Sequence, residues 1–146
     1  MVRFKNRYLV IEILWEDKKY DPGVKNKEIY DAIRESIASN FGDWGTGVLL
    51  NSLSVKYWNP ATNIGIVRCQ RDEFRVLWAA ITFISYVRGR KVRIKVVYTA
   101  GTVRSCQKQV VRGIRMWVLE SKSVLECVRK DLRGETMIKE VQDVGF

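Results

Sequence analysis

The chain has 146 residues, 47% of them hydrophobic and 11% aromatic, which suits one globular domain with its own core and excludes a disordered polymer. It carries 26 Lys and Arg against 16 Asp and Glu, a net charge of +10, and has no histidine. Three well-separated cysteines without histidine argue against a zinc site, a disulfide framework and His-based catalysis. No run approaches the roughly 18 apolar residues of a membrane span, so the expectation is a soluble intracellular protein.

The first predicted element is a strand from Tyr8 to Trp15, preceded by a basic arm, residues 1–7, that holds Arg3, Lys5 and Arg7. Alternate strand residues share a face. The arm would put cations where the strand puts Leu9, Ile11 and Ile13, so the arm is expected to leave the sheet. Asp21-Pro22-Gly23 breaks the chain, and Ile29, Ile33 and Ile37 recur every four residues in a helix from Lys25 to Phe41. Gly42 is read as its stop and GDWGTG as a glycine-rich loop.

Strands are predicted over 49–58 and 64–70, joined by NPATN as a hairpin. A second helix is read from Asp72 through Val87. Phe74, Leu77, Trp78, Ile81 and Ile84 form one apolar stripe; Val76, Ala80, Phe83 and Val87 form another, which is buried either against another helix of this chain or, in the sharper reading, against a partner protein. The next strand, VRIKVVYT, sets Val92, Ile94, Val96 and Tyr98 on a core face and Arg93, Lys95, Val97 and Thr99 on a wet one. A third helix follows Gly101 to about Glu120, a short fourth is expected over 124–132, and residues 121–146 form a C-terminal helix and tail. The order is β-α-β-β-α-β, an α+β ferredoxin-like split with a four-stranded antiparallel sheet and extra C-terminal helices.

The charge is concentrated. Residues 74–119 contain ten cations and no acid: Arg75, Arg88, Arg90, Lys91, Arg93, Lys95, Arg104, Lys108, Arg112 and Arg115. Such a stretch points to a polyanion, nucleic acid above all, with an acidic protein or a membrane surface as alternatives. In the third helix Arg104, Lys108, Arg112 and Arg115 fall within an arc of roughly 80° at 3.6 residues per turn, opposite Val103, Cys106, Val110, Ile114 and Trp117. Arg93 and Lys95 would extend the basic surface along a phosphate backbone. Tyr57 and Trp58 are candidates for base stacking, with core or hairpin packing as the alternative, and IGIVRCQ lacks the aromatics of a standard RNA-recognition motif. Adjacent acid pairs, cysteines without a base, and a Gly-rich run lacking Lys-Ser/Thr give no enzyme motif.

MVRFKNRYLV, NFGDWG, GIVRC and GTVRSCQK, in this order with the hydrophobic second helix, resemble the Pop-five family of ribonuclease P and ribonuclease MRP protein subunits over about residues 1–120. The resemblance implies a noncatalytic RNA-binding subunit of a ribonucleoprotein whose RNA removes the 5′ leader from precursor tRNA or processes ribosomal RNA precursors. It implies as partners the particle's RNA, precursor tRNA, a TIM-barrel protein subunit and a second small ferredoxin-like subunit. It also implies magnesium at the RNA active site, no cofactor in the chain, and a nuclear and nucleolar location. Carried onto matching positions, it assigns RNA contacts to Arg3, Lys5 and Arg7, to Lys56, Tyr57 and Arg68, and to Thr102, Arg104 and Lys108; Arg112 and Arg115 come from the helical stripe. The mixed C-terminus TMIKEVQDVGF departs from the long acidic tail of some eukaryotic members. An RNA-binding assembly factor for another structured RNA, such as a ribosomal precursor, is the alternative reading.

Overall fold

The computed structural model describes residues 5–19 and 21–121, with side chains through Met116. The elements run β1 Asn6–Trp15, α1 Asn26–Leu49, β2 Ser54–Asn59, β3 Ile64–Gln70, a 3-10 turn Arg71–Glu73, α2 Phe74–Thr82, β4 Tyr86–Val87, β5 Arg90–Ala100 and α3 Val103–Ser121. The strands form one antiparallel sheet in the order β2-β3-β1-β5-β4. It has five strands rather than the expected four.

Helices cover both faces of this sheet. On one, Leu9, Ile11 and Ile13 of β1 meet Ile29, Ile33 and Ile37 of α1 and Leu77 and Ile81 of α2, all fully buried. On the other, Val10 and Ile66 meet Cys106, Val110 and Ile114 of α3. Burial on both faces explains why Leu9, Val10 and Ile11 are apolar in succession where a half-buried strand would alternate.

Several sequence boundaries are corrected, each for a local reason. β1 starts at Asn6, with Arg7 opposite Cys69, and the Arg71 amide donates to the Lys5 carbonyl at 2.9 Å. Arg7 therefore belongs to the sheet, and Lys5 is tied to its edge by that bond and does not depart as an arm, while Arg3 and the rest of residues 1–4 lie outside the described residues. GDWGTG is helical: Gly42 breaks α1 with φ 62° and ψ −152°, and the helix resumes through Leu49. Gly45 serves packing, since a Cβ there would lie 2.5 Å from that of Phe41. The resumed turn and the Leu53 amide bond to the Leu49 carbonyl delay β2 to Ser54.

The second helix ends at Thr82, not Val87. Arg88 and Gly89, both at positive φ, turn β4 back onto β5 so that Val87 pairs with Arg90. In β5 an irregularity pairs Val10 with Tyr98 but Ile11 with Val96, which leaves Val97 as an extra residue. Tyr98 consequently joins the cluster under α3 instead of the face of Val92 and Ile94. α3 keeps its expected extent; the expected helix over 124–132 lies outside the described residues.

Candidate nucleic-acid interface

The acid-free stretch separates into two populations once folded. Arg90 lies beside the turn of the β4–β5 hairpin, where its guanidinium reaches Asp17 at 2.6 Å and Asp21 at 3.2 Å and stacks 4.1 Å from the Trp15 ring. Its hydrogen bond holds the Asp17 carboxyl below its usual pKa, and the same bond raises that of Arg90. Arg88 approaches Asp21 at 3.8 Å, Lys91 approaches Glu16 at 3.4 Å, and Lys95 approaches Glu12 at 3.1 Å. Four of the ten cations are thus partnered by acids of β1 and the loop after it. Arg75 lies over the Phe74 ring.

The cations of α3 have no such partners among the described residues. Cys106, Val110 and Ile114 fasten the inner side of the helix to the sheet, and the Cys106 thiol contacts the Tyr8 carbonyl at 3.6 Å. Burial pushes that thiol up to about 11. Helical spacing then turns Arg104, Lys108, Arg112 and Arg115 outward. All four are exposed, and together with Gln107 and Val111 they line one shallow depression. From first to last they span about 16 Å at 1.5 Å per residue.

The start of α3 adjoins the N-terminal part of β1. Thr102 precedes the helix, its Oγ1 accepting from the Ser105 amide at 3.4 Å and lying 3.1 Å from the Ser105 hydroxyl. Arg7 reaches the neighbouring Gly101 so closely that a Cβ there would lie 2.7 Å from its Nη1. The same guanidinium stabilises negative charge on Cys69, whose thiol burial nevertheless pushes up to about 12. Arg7, Thr102 and Arg104, drawn from distant sequence motifs, therefore gather at one end of the sheet.

The remaining candidates are less favourably placed. Arg68 is half-buried between Ser54 and Tyr8 on neighbouring strands, its Nε buried with no hydrogen-bond partner among the described residues. Lys56 is half-buried at the irregularity of β2. Tyr57 is only 7% exposed and lies in the cluster beneath α3, so it offers no stacking surface. Trp58 is core, its indole N–H donating to the Val24 carbonyl at 3.0 Å. Lys95 is paired as above, and Arg93 stands exposed opposite Leu14.

The proposed partner-protein stripe is also redrawn. Ala80 and Val87 are buried in the main core and Val76 packs against it, whereas Phe83 is 59% exposed. Val87 is not on the helix at all. The exposed groups in this region are Trp78, Phe83 and Tyr86. Trp78, expected in the core stripe of the second helix, lies at its exposed edge; Tyr86 was missed because an apolar run continuing past Thr82 looked like more helix, and the turn pair Arg88-Gly89 was the available signal.

The Rpp14/Pop5 family profile matches residues 7–111, which include β1, the central strands and the first half of α3. The chain belongs to the Rpp14/Pop5 family. This family member is 39% identical over 116 residues to "Ribonuclease P/MRP protein subunit POP5" of Schizosaccharomyces pombe, covering 73% of this chain and 84% of that one. It is 35% identical to the probable POP5 subunit of Arabidopsis thaliana, covering 77% and 78% of the two chains. With "Ribonuclease P protein component 2" of Methanocaldococcus jannaschii it shares 32% identity over 73% of this chain and 72% of that one. A chain in the cryo-EM structure of yeast ribonuclease MRP shares the fold, with a TM-score of 0.58 at 11% identity, covering 85% of this chain and 99% of that one.

Proposed function

We propose that this chain is a noncatalytic RNA-binding protein subunit of ribonuclease P and ribonuclease MRP. It supports RNA-catalysed removal of the 5′ leader from precursor tRNA and processing of ribosomal RNA precursors. The observation that carries the RNA-binding part is the row of four exposed cations on α3, without an acidic partner among the described residues, with Arg7 and Thr102 at its start. Such a row neutralises crowded phosphates of a folded RNA and positions it without reading bases. Membership of the family supports the assignment to this particle.

In this reading magnesium acts at the RNA active site, and the chain works in the nucleus and nucleolus. The core strand order β2-β3-β1-β5, with α1 and α2 on one face, is ferredoxin-like, β4 being an edge addition and α3 a cover on the second face. The protein partners are a TIM-barrel subunit and a second small ferredoxin-like subunit, and the exposed aromatics Trp78, Phe83 and Tyr86 are where we would seek their contacts. Affinity purification of the full chain, with sequencing of bound RNA and identification of bound proteins, tests the assignment. Ribonuclease P or MRP RNA is the expected cargo; ribosomal precursor without either RNA would favour an assembly factor instead.

A further inference from the structure

We infer that the α3 surface takes double-helical RNA and holds it by the phosphates of the duplex, and that it is not a site for unpaired strands. The inference rests on the reading of this chain as an RNA-binding subunit and adds the form of RNA that the surface accepts.

Three observations carry it. First, proteins that hold single strands combine cations with exposed aromatic side chains on which the bases stack. The tyrosines on this side of the sheet, Tyr8, Tyr57 and Tyr98, are packed with the cluster beneath α3. Among the described residues the exposed aromatics, Trp44, Trp78, Phe83 and Tyr86, belong to α1, α2 and the segment through β4, and none of them lines the α3 depression. The exposed apolar groups on the α3 side, Val97 and Met116, are aliphatic or thioether and provide no π-face.

Second, the cations occupy one rigid element. α3 is continuous over Val103–Ser121 and fixed to the sheet by Cys106, Val110 and Ile114, so Arg104, Lys108, Arg112 and Arg115 keep a set spacing along about 16 Å. A flexible strand must be ordered to meet such a row. A duplex is ordered already, and its two strands together present a dense row of phosphate charges along the axis for the four cations to meet.

Third, the depression has little with which to read bases. Apart from the four cations its lining consists of Gln107 and Val111. Contacts to phosphates position a nucleic acid without specifying its sequence, and double-stranded RNA is recognised largely by shape.

The test uses the full chain and fluorescence anisotropy at one fixed salt concentration, with two short RNA duplexes of unrelated sequence and the four unpaired strands that compose them. The duplexes are expected to bind at least about tenfold more tightly than any of the strands, and within about threefold of each other. Arg104→Ala with Lys108→Ala is expected to weaken duplex binding at unchanged thermal stability. Strands that bind as tightly as the duplexes, with that affinity lost in the same variant, would overturn the duplex inference while leaving the RNA surface in place. Binding of every probe unaffected by the variant would overturn the RNA-binding reading of α3 itself.

Discussion

Removing Arg104 and Lys108 together should change how RNA binding responds to salt by a calculable amount. Each phosphate neutralised on a duplex releases condensed counterions and contributes about 0.9 to the slope of log K against log salt. If the four α3 cations each engage one phosphate, raising salt from about 50 to about 200 mM weakens their joint contribution about 150-fold, and that of the remaining two only about 12-fold. The double variant should therefore lower the slope by about 1.8, measured by anisotropy titration of the full chain at several salt concentrations. Lys91→Ala with Lys95→Ala is the control. It removes the same formal charge, but from cations held by Glu16 and Glu12. Equal slope losses in the two variants would show that net charge, and not the α3 row, governs binding, and would refute the division of the basic stretch into partnered and free cations.

Other outcomes follow from the same geometry. The Asp17 carboxyl is held below its ordinary value of 3.8 by Arg90, so it adds stability above that pH and loses it as the pH falls through the lower folded value. The wild-type melting temperature should therefore exceed that of Asp17→Asn near pH 6, and the gap should shrink once the pH falls below 3.8; a gap that widens on acidification would contradict the sign. Gly42→Ala places a Cβ at φ 62° and ψ −152°, a region essentially confined to glycine, and should cost about 1–3 kcal/mol in urea unfolding. An unchanged midpoint would mean that the break in α1 is not enforced at this residue. The Cys69 and Cys106 thiols, pushed up to about 12 and about 11 by burial, should resist alkylation at pH 8 and react on unfolding, as mapped by peptide mass spectrometry.

Strong local signals made much of the fold legible in the sequence, and the failures have physical causes. Ile29, Ile33 and Ile37 marked the face α1 buries, and IGIVRCQ marked β3 to the residue. The reading failed where a residue type had two uses. Gly42 did interrupt a helix, but one helical segment followed another across it, and Gly45 proved to be a close-packing position. Tyr98 obeyed a period of two only as far as Val97, where one extra residue reversed the face. An irregularity of this kind depends on pairing with β1, some ninety residues earlier in the chain, and no local pattern in β5 announces it.

The candidate surface was legible for the same reason that it was overdrawn. An acid-free run identifies excess charge along the chain, whereas a free cation is defined by what lies beside it in space. Glu12, Glu16, Asp17 and Asp21 are distant from the run in sequence, and pairing of β1 with β5 brings them to Lys95, Lys91, Arg90 and Arg88. That pairing withdraws Arg88, Arg90, Lys91 and Lys95 from a general basic surface, while Arg93 of the same strand stays exposed. Among the described residues α3 escapes such pairing: Val10, Ile66 and Tyr57 hold its inner side and supply no carboxylate to its outer one. The same contacts that fix the helix thus keep its charge available, so substitutions in this second core should change both stability and the spacing of the cations. Ile114→Ala, at a fully buried position, should cost about 2–5 kcal/mol of stability. Under conditions where that variant remains folded, its RNA affinity should fall although no charge has been removed; affinity equal to wild type would show that the α3 cations act without a fixed geometry.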